Sequence, residues 1–286
     1  MADHGPWTRV CVRHARDVFV DATRVEGQWR ALNFTAAPDV ARAAAQSDAF
    51  IEHLRAAGAP VTVLPSPADL NTLTLDAIYV RDASVMTPGG AVMCRMGKPQ
   101  RAAEPAALEA AYHALGVPIL GRIEPPGQLE GGDVTWLTPR IAAVGHGYRT
   151  NAEGIRQLRA LLGDQVDALI EVGLPHYRGP GDVFHLMSII SPVDVDLAVV
   201  YSPLMPVPFR RQLAELCLTM VEVPDEEFDA MGANVFAAAP RRCVMVDGAP
   251  RTRARLEAAG ADVFVYDGSD ISLMGGGGPT CLTRPM

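Results

Sequence analysis

The sequence predicts an α/β protein that is built from many short strands. Short apolar segments bounded by glycine and proline recur along the chain, and a segment of helical character follows each two or three of them. A doubly wound sheet would alternate strand and helix more strictly, so that architecture is not favoured. No Pro/Ser-rich linker or break in composition divides the chain. We therefore predict one domain over residues 1–286.

The helices and strands are read from local signals. The clearest helical segments are 38–57, 104–115 and 151–162. Gly58 and Gly116 follow the first two as stop signals, and Asn151 suits the N-cap of the third. Extended segments are predicted at 10–20, 61–64, 77–80, 134–137, 141–144, 168–172, 184–188 and 197–201, with a turn at 87–90 before a strand through Cys94. Segments 209–218, 233–238, 243–246, 251–259 and 263–266 continue the alternation.

Composition and charge limit the class of protein. The chain of 286 residues is 49% hydrophobic and 20% charged, which is typical of a globular protein with a sizeable core. Its formal net charge of -8 argues against nucleic acid or an anionic membrane as the main partner. No apolar run approaches the ~20 residues of a membrane span, and the N-terminus lacks the pattern of a signal peptide.

The cysteines indicate a reducing compartment. Five cysteines without a CxxC pair favour free thiols over a disulfide framework, so we predict a cytoplasmic protein. The histidines do not fall at zinc-ligand spacing with these cysteines. Neither GxxxxGK[ST], GxSxG nor HExxH is present, and Gly145-His146-Gly147 lacks the third glycine of a dinucleotide fingerprint. We predict no cofactor and no metal, although a metal site from His185, Cys281 and a carboxylate is an alternative.

A glycine run near the C-terminus ends on a thiol. Gly275 to Gly278 are four consecutive glycines, followed by Pro279, Thr280 and Cys281. Glycines let a backbone turn sharply and approach a ligand closely, which would suit a nucleophilic Cys281. The alternative is a flexible tail with an incidental cysteine.

Three further polar residues lie beside apolar or glycine-rich segments, where packing of a hydrophobic core does not require them. Asp82 follows a predicted strand, Glu130 lies in Leu-Glu-Gly-Gly-Asp, and His185 begins an apolar block. Each alone has a structural explanation, as a solvated acid, a turn cap or a core histidine. Together they fit one chemistry, because a nucleophilic thiol needs a base or a cation and a histidine needs an orienting carboxylate.

Five stretches carry a family resemblance. They are Tyr79-Val80-Arg81-Asp82, Leu129-Glu130-Gly131-Gly132-Asp133-Val134, Gly147-Tyr148-Arg149-Thr150-Asn151, His185-Leu186-Met187-Ser188, and Gly275 to Cys281. In this order they resemble the guanidino-group-modifying (pentein) superfamily, which comprises dimethylarginine dimethylaminohydrolase, arginine deiminase and the amidinotransferases. The resemblance runs from about residue 76 to the C-terminus. It implies a five-bladed α/β propeller of ββαβ-type units around a central pocket.

The resemblance also implies roles for individual residues. Cys281 would attack the guanidinium carbon, His185 would protonate the departing amine and then activate water, and Glu130 would orient His185. Asp82 would hold the guanidinium nitrogens. Asp76 would lie near the α-amine of the substrate, and Arg95 and Arg149 would bind its α-carboxylate, as bidentate guanidinium–carboxylate pairs can. A surface salt bridge is the alternative for the two arginines.

One position bears on the substrate. Deiminases and amidinotransferases place an acid two residues after the histidine, where this chain has Met187. An unsubstituted guanidinium buried without acceptors for its N–H groups would lose about 1–3 kcal/mol for each of them. A pliable thioether suits an alkylated guanidinium better. The prediction is a hydrolase of N-methylated arginine that forms citrulline and an alkylamine.

Other functions stay open at this point. They are deimination or double hydrolysis of free arginine, amidino transfer to an amine, and arginine binding without turnover. The predicted partner is a small guanidino compound, with neither nucleic acid nor membrane. The sequence does not determine the oligomeric state, and a homodimer is left open.

Overall fold

Fifteen short strands and seven α-helices are present in the computed structural model, which describes residues 2–67 and 69–286. The strands are β1 (Val10–Val12), β2 (Val61–Val63), β3 (Ser84–Thr87), β4 (Gly90–Met93), β5 (Ile119–Arg122), β6 (Val134–Thr138), β7 (Ile141–His146), β8 (Ala168–Gly173), β9 (Ile190–Asp194), β10 (Leu197–Val200), β11 (Thr219–Glu222), β12 (Phe236–Ala239), β13 (Arg242–Val246), β14 (Asp262–Tyr266) and β15 (Thr283–Pro285). The helices are α1 (Ala22–Gln28), α2 (Val40–Ala56), α3 (Glu104–Leu115), α4 (Ala152–Leu162), α5 (Val207–Glu215), α6 (Asp225–Phe228) and α7 (Pro250–Ala258).

The strands form five sheets of three, and all five sheets repeat one topology. Their orders are β15-β1-β2, β3-β4-β5, β6-β7-β8, β9-β10-β11 and β12-β13-β14. In every sheet the central strand pairs antiparallel with the first strand and parallel with the third. Parallel neighbours need a long crossover, and a helix supplies it in each unit. The architecture is the five-bladed α/β propeller that the resemblance implies.

One blade is assembled from both ends of the chain. Strand β1 pairs antiparallel with β15, with Val10 opposite Pro285 and Val12 opposite Thr283. The residues of both strands are buried. This pairing fixes the residues just before β15, including the glycine run, against the rest of the propeller. The terminal stretch is therefore an ordered loop rather than a flexible tail.

The predicted helices are confirmed, and their ends follow the expected chemistry. The Asp39 carboxylate accepts a hydrogen bond from the Arg42 amide at the start of α2, and the Asn151 side chain does the same from Gly154 at α4. Helix α3 ends at Gly116, whose φ of 69° is left-handed.

Three predicted extended segments are wrong in whole or in part. Segment 184–188 contains no strand, because Leu186–Ser188 forms a 3-10 turn before β9 begins. Segment 77–80 is not a strand, because Leu75–Ile78 forms a 3-10 turn that runs into a buried connection. A short apolar run can be buried in either conformation, so its pattern does not distinguish them. Of segment 10–20 only β1 is extended, and a 3-10 turn at Ala15–Asp17 follows. Among the described residues, no helix has the length and apolarity needed to span a bilayer.

Candidate active site

Each of the five blades contributes one polar residue at the same topological position. These residues lie between two and five positions before the first strand of their blade: Asp82 before β3, Glu130 before β6, His185 before β9, Asn234 before β12 and Cys281 before β15. Because the blades surround a common axis, their entry loops meet at one end of it. Backbone bonds link the loops, such as Arg81 N–H to the Cys281 carbonyl (3.1 Å) and Gly131 N–H to the Asp82 carbonyl (2.8 Å).

His185 and Glu130 form a buried ion pair. The imidazole Nε2 lies 2.8 Å from Oε2 of Glu130, and Arg149 Nη1 donates to the same oxygen at 3.1 Å. The backbone N–H groups of Gly97 and Lys98 both donate to Oε1 at 3.0 Å. Both carboxylate oxygens are therefore occupied, which fixes the orientation of the ring.

Asp82 lies beside the imidazole of His185. Its Oδ1 is 3.7 Å from His185 Nδ1 and accepts the Gly132 N–H at 3.0 Å, while Oδ2 accepts from Arg101 Nη1 at 2.5 Å. Its negative charge also acts on the thiol of Cys281. The Asp82 carboxylate is thus positioned to hold a cation that faces both groups.

The electrostatic environment keeps His185 charged. Burial alone would lower its pKa, but the charges of Asp82 and Asp133 and the hydrogen bond to Glu130 outweigh it and raise the pKa to about 9. Burial likewise opposes ionisation of Glu130, yet the hydrogen bond from His185 and the cations around it hold the pKa of that carboxyl well below its usual range. At neutral pH the pair is imidazolium and carboxylate.

The sulfur of Cys281 has uncharged polar neighbours. Asn234 Nδ2 donates to Sγ at 3.5 Å, and Thr280 Oγ1 lies 3.9 Å away. Burial first, and then the charge of Asp82, raise the pKa of the Cys281 thiol. The side chain is nevertheless partly exposed, unlike Cys11, Cys94 and Cys243, which are buried.

The glycine run packs against a wall of aromatic side chains. A Cβ at Gly277 would overlap the Tyr79 ring, and one at Gly275 would overlap the Tyr79 hydroxyl and lie 2.7 Å from the Phe34 ring. Gly276 has a φ of +77°, which L residues seldom adopt. These close approaches explain why the loop before Cys281 needs glycine.

An open cavity of about 370 Å³ lies over the site. Lys98, Arg149, Asn234, Gly275 and Gly276 are among its lining residues, so it reaches the groups that contact Glu130 and Cys281. Both signs of charge and several aromatic rings line it, as expected of a pocket for a small polar ligand.

The structure brings together six of the seven predicted site residues. Four of them form one cluster around the Asp82 carboxylate: Cys281, His185, Glu130 and Asp82 itself. Arg149 joins this cluster through its ion pair with Glu130. Asp76 is buried beside it, with its carboxylate 2.7 Å from Lys98 Nζ. The seventh residue, Arg95, is not in contact with these six: its guanidinium donates to the Gly127 carbonyl at 3.1 Å.

Sequence reasoning did not identify Arg101, Lys98 or Asn234. Arg101 is buried at the end of the 3-10 turn before α3, where it pairs with Glu104, three residues along the chain, and with Asp82. Only the tertiary fold creates the contact with Asp82. Asn234 carries a signal that could have been used. It precedes the first strand of its blade as Asp82 precedes β3, although the repeat becomes visible only once the blades are defined.

The oxygen and nitrogen atoms of Asp82, Glu130 and His185 lie within 4.8 Å of one another and could in principle bind a metal ion. Both carboxylates already face a guanidinium, Asp82 that of Arg101 and Glu130 that of Arg149. The three groups are therefore already engaged in ion pairs within the protein.

Comparison with known proteins agrees with this geometry. The arginine deiminase family model matches residues 75–217. A dimethylarginine dimethylaminohydrolase of Streptomyces coelicolor is 33% identical over 238 residues, which cover 83% of each chain. The enzyme of that name from Pseudomonas aeruginosa is 27% identical over 240 residues, 84% of this chain and 87% of its own.

Solved structures show the same likeness. A Pseudomonas aeruginosa dimethylarginine dimethylaminohydrolase in complex with citrulline superposes with a TM-score of 0.78 at 25% identity, covering 98% of this chain and 99% of its own. The N-terminal domain of a cyanobacterial arginine dihydrolase, 17% identical, shares the fold with a TM-score of 0.77 over 97% of this chain and 96% of its own. The chain belongs to the guanidino-group-modifying superfamily, within the family of dimethylarginine dimethylaminohydrolase.

Proposed function

We propose that this protein is an amidine hydrolase that converts N-methylated arginine to citrulline and an alkylamine through a covalent intermediate on Cys281. The observation that carries the proposal is the arrangement of one partly exposed thiol and one charged imidazole around the Asp82 carboxylate. The relatives named above, which are dimethylarginine dimethylaminohydrolases, support the same substrate class.

The first half-reaction forms the intermediate. The Asp82 carboxylate holds the N–H groups of the guanidinium and so places its carbon before Sγ. The positive charge of the bound substrate offsets the negative charge of Asp82, and this favours release of the thiol proton to solvent. The thiolate forms a C–S bond, the C–N bond to the alkylamine breaks, and imidazolium His185 gives its Nδ1 proton to the departing nitrogen.

The second half-reaction releases the product. His185 is now neutral and takes a proton from water, whose oxygen attacks the same carbon. The C–S bond then breaks, the sulfur leaves as thiolate, and citrulline is formed as the second proton of the attacking water is lost to solvent. The thiolate regains a proton from solvent, which restores the free enzyme. Glu130 holds the ring in one orientation throughout and stabilises its charged form at both ends of the cycle.

The substrate end groups have binding partners of opposite charge at the cavity. Arg149 lines the cavity and donates a hydrogen bond from Nη1 to Glu130. Its Nη2 group is then available to bind the substrate carboxylate. Asp76 is the predicted partner of the α-amine, and Lys98 would have to yield part of its contact there. Arg95 is not assigned to the substrate carboxylate, because its guanidinium donates a hydrogen bond to the Gly127 carbonyl.

Met187 supports an alkylated guanidinium. It is buried on the 3-10 turn that follows His185, where it offers no strong acceptor to a substrate N–H. Replacing N–H by N–CH₃ removes the unmet hydrogen bond. The second candidate is deimination of free arginine, which the match to the arginine deiminase model favours.

A substrate panel tests the proposal. Dimethylarginine, monomethylarginine and arginine are incubated with the enzyme, and the ureido product and the released amine are measured. We expect dimethylamine and citrulline in equal amounts from dimethylarginine, and turnover to fall by about 10⁴-fold or more in Cys281→Ser. Cys217→Ser is the matched control, because Cys217 is an exposed thiol outside the site.

Four other results would each overturn the proposal in a distinct way. Ammonia from arginine alone indicates deimination, and a second ammonia per arginine indicates dihydrolysis. A requirement for an amine acceptor indicates amidino transfer. A stable arginine complex without turnover indicates a binding protein.

Three wider predictions accompany this function. Closure of the propeller by β1 and β15 supports one domain over residues 1–286. A nucleophilic thiol needs reducing surroundings, which supports the cytoplasm as its location, to be checked by cell fractionation. The homodimer is a prediction that sedimentation of the purified protein tests.

A further inference from the structure

We infer that Asn234 is a further catalytic residue, which donates a hydrogen bond to the reacting sulfur and stabilises it as a thiolate. The inference rests on the proposed function, in which Cys281 is the nucleophile. Four blades each place a reacting or charged group at their entry loop, and Asn234 occupies the corresponding position in the blade of β12, β13 and β14.

The hydrogen bonds of Asn234 determine which end of its amide faces the sulfur. Its Oδ1 accepts from the Thr280 backbone N–H at 3.0 Å and from the Thr280 hydroxyl at 2.8 Å. Both partners are donors, so this end must be the carbonyl oxygen. The NH₂ group is thereby directed at Sγ, 3.5 Å away.

Asn234 is the hydrogen-bond donor that this arrangement offers to the sulfur. The Thr280 hydroxyl is 3.9 Å from Sγ, and its one proton already goes to Asn234 Oδ1. Gly278 allows the close approach, because a Cβ there would lie 2.6 Å from the Asn234 side chain. Asn234 also lines the cavity, so its amide lies on the side from which substrate enters.

This donor opposes two effects that disfavour the thiolate. Burial and the Asp82 carboxylate both act against a negative sulfur. A hydrogen bond to the charged form favours that form. The same hydrogen bond would stabilise the thiolate in both half-reactions. It would act when the thiolate attacks the guanidinium carbon and again when the thiolate leaves after water has added.

The test measures the thiol directly, without substrate. In a Cys217→Ser background, the rate of inactivation by iodoacetamide is followed against pH and gives the pKa of Cys281. Asn234→Asp keeps an oxygen for Thr280, so the loop retains its support, but loses the donor and adds a negative charge. Asn234→Ala removes both contacts. Asn71→Asp, at an exposed position, controls for the added charge.

We expect the thiol pKa to rise by about one unit, equivalent to ~10-fold less thiolate at neutral pH, in both Asn234 variants. The rise should be larger in Asn234→Asp, and the acid limb of kcat/KM should move with it. Asn71→Asp should match the parent. A purely structural role would leave Asn234→Ala with the parental thiol pKa and acid limb, and that result would overturn the inference. Asn234→Asp sets the upper limit of the rise, because its added carboxylate beside Sγ raises the thiol pKa by charge alone.

A separate variant distinguishes failure of this inference from failure of the proposed function. If Cys281→Ser retains turnover, Cys281 is not the nucleophile, and both the proposed function and the role of Asn234 are wrong. If Cys281→Ser is inactive while Asn234→Ala keeps the parental thiol pKa, only the role of Asn234 is wrong.

Discussion

The imidazole and the sulfur sit on two sides of one site that differ in charge. Around His185 lie three buried carboxylates, those of Asp82, Glu130 and Asp133. The sulfur of Cys281 instead has an amide and a hydroxyl as polar neighbours. The first environment stabilises a cation strongly, and the second stabilises an anion weakly.

This difference assigns the protons in the free enzyme. With its pKa raised to about 9, His185 is charged at neutral pH, whereas the raised pKa of Cys281 keeps the thiol protonated. The site is therefore ready to donate a proton to a leaving amine before it is ready to attack. A cationic substrate bound to Asp82 would lower the pKa of the Cys281 thiol, so substrate binding and activation of the nucleophile are coupled.

On the imidazole side of the site, removing the charge of Glu130 should have the largest effect on kcat. We expect Glu130→Gln to lower kcat by about 10³-fold, because an amide stabilises the imidazolium poorly and leaves Arg149 without its anion. Steady-state kinetics measures it. Glu171→Gln is the matched control, since Glu171 makes an exposed pair with His146. A kcat within tenfold of the parent would mean that Glu130 does not serve His185.

The sulfur side depends on a buried ion pair behind it. Arg81 donates to the Thr280 carbonyl at 2.9 Å and pairs with Asp3 at 3.2 Å, and both side chains are buried. We expect Asp3→Asn to lower the free energy of unfolding by about 3 kcal/mol, because it leaves a buried guanidinium unpaired. Denaturant titration measures it, with Asp167→Asn at an exposed pair with Arg140 as control. A loss no larger than the control's would contradict this.

The smallest predicted effect concerns the pH dependence of the imidazole side. His185 must be protonated to release the amine, so kcat should fall as pH rises through about 9. Asp133 raises that pKa by its charge, and Asp133→Asn should move the alkaline limb to lower pH by less than one unit. An unmoved limb, or one at higher pH, would show that Asp133 does not act on the ring.

The same pKa predicts how stability varies with pH. The folded pKa of His185 lies above its usual 6.5, so the charged ring contributes stability that is fully present below about pH 6.5. That contribution is lost as the pH rises through about 9. Unfolding of a His185→Gln variant at pH 6 and pH 10 checks it, because the variant should lose more at the lower pH.

Local pattern was enough to predict most helices and strands and the polar residues of four entry loops. Alanine-rich stretches with caps gave α2, α3 and α4, because helix ends are set by nearby residues. Asp82, Glu130, His185 and Cys281 could be named because each breaks an apolar or glycine-rich context. Segment 77–80 was wrong because a short buried run carries no period that tells a strand from a turn.

The sequence by itself therefore determined the α/β character, the candidate nucleophile and the groups that could serve it. Only the tertiary structure decided which cations and donors reach them. Arg95 and Arg101 are six residues apart, yet the first faces the Gly127 carbonyl and the second is buried against Asp82. Asn234 and Cys281 are 47 residues apart and meet because their blades are neighbours around the axis. Contacts of this kind depend on how the blades close, which no local pattern encodes.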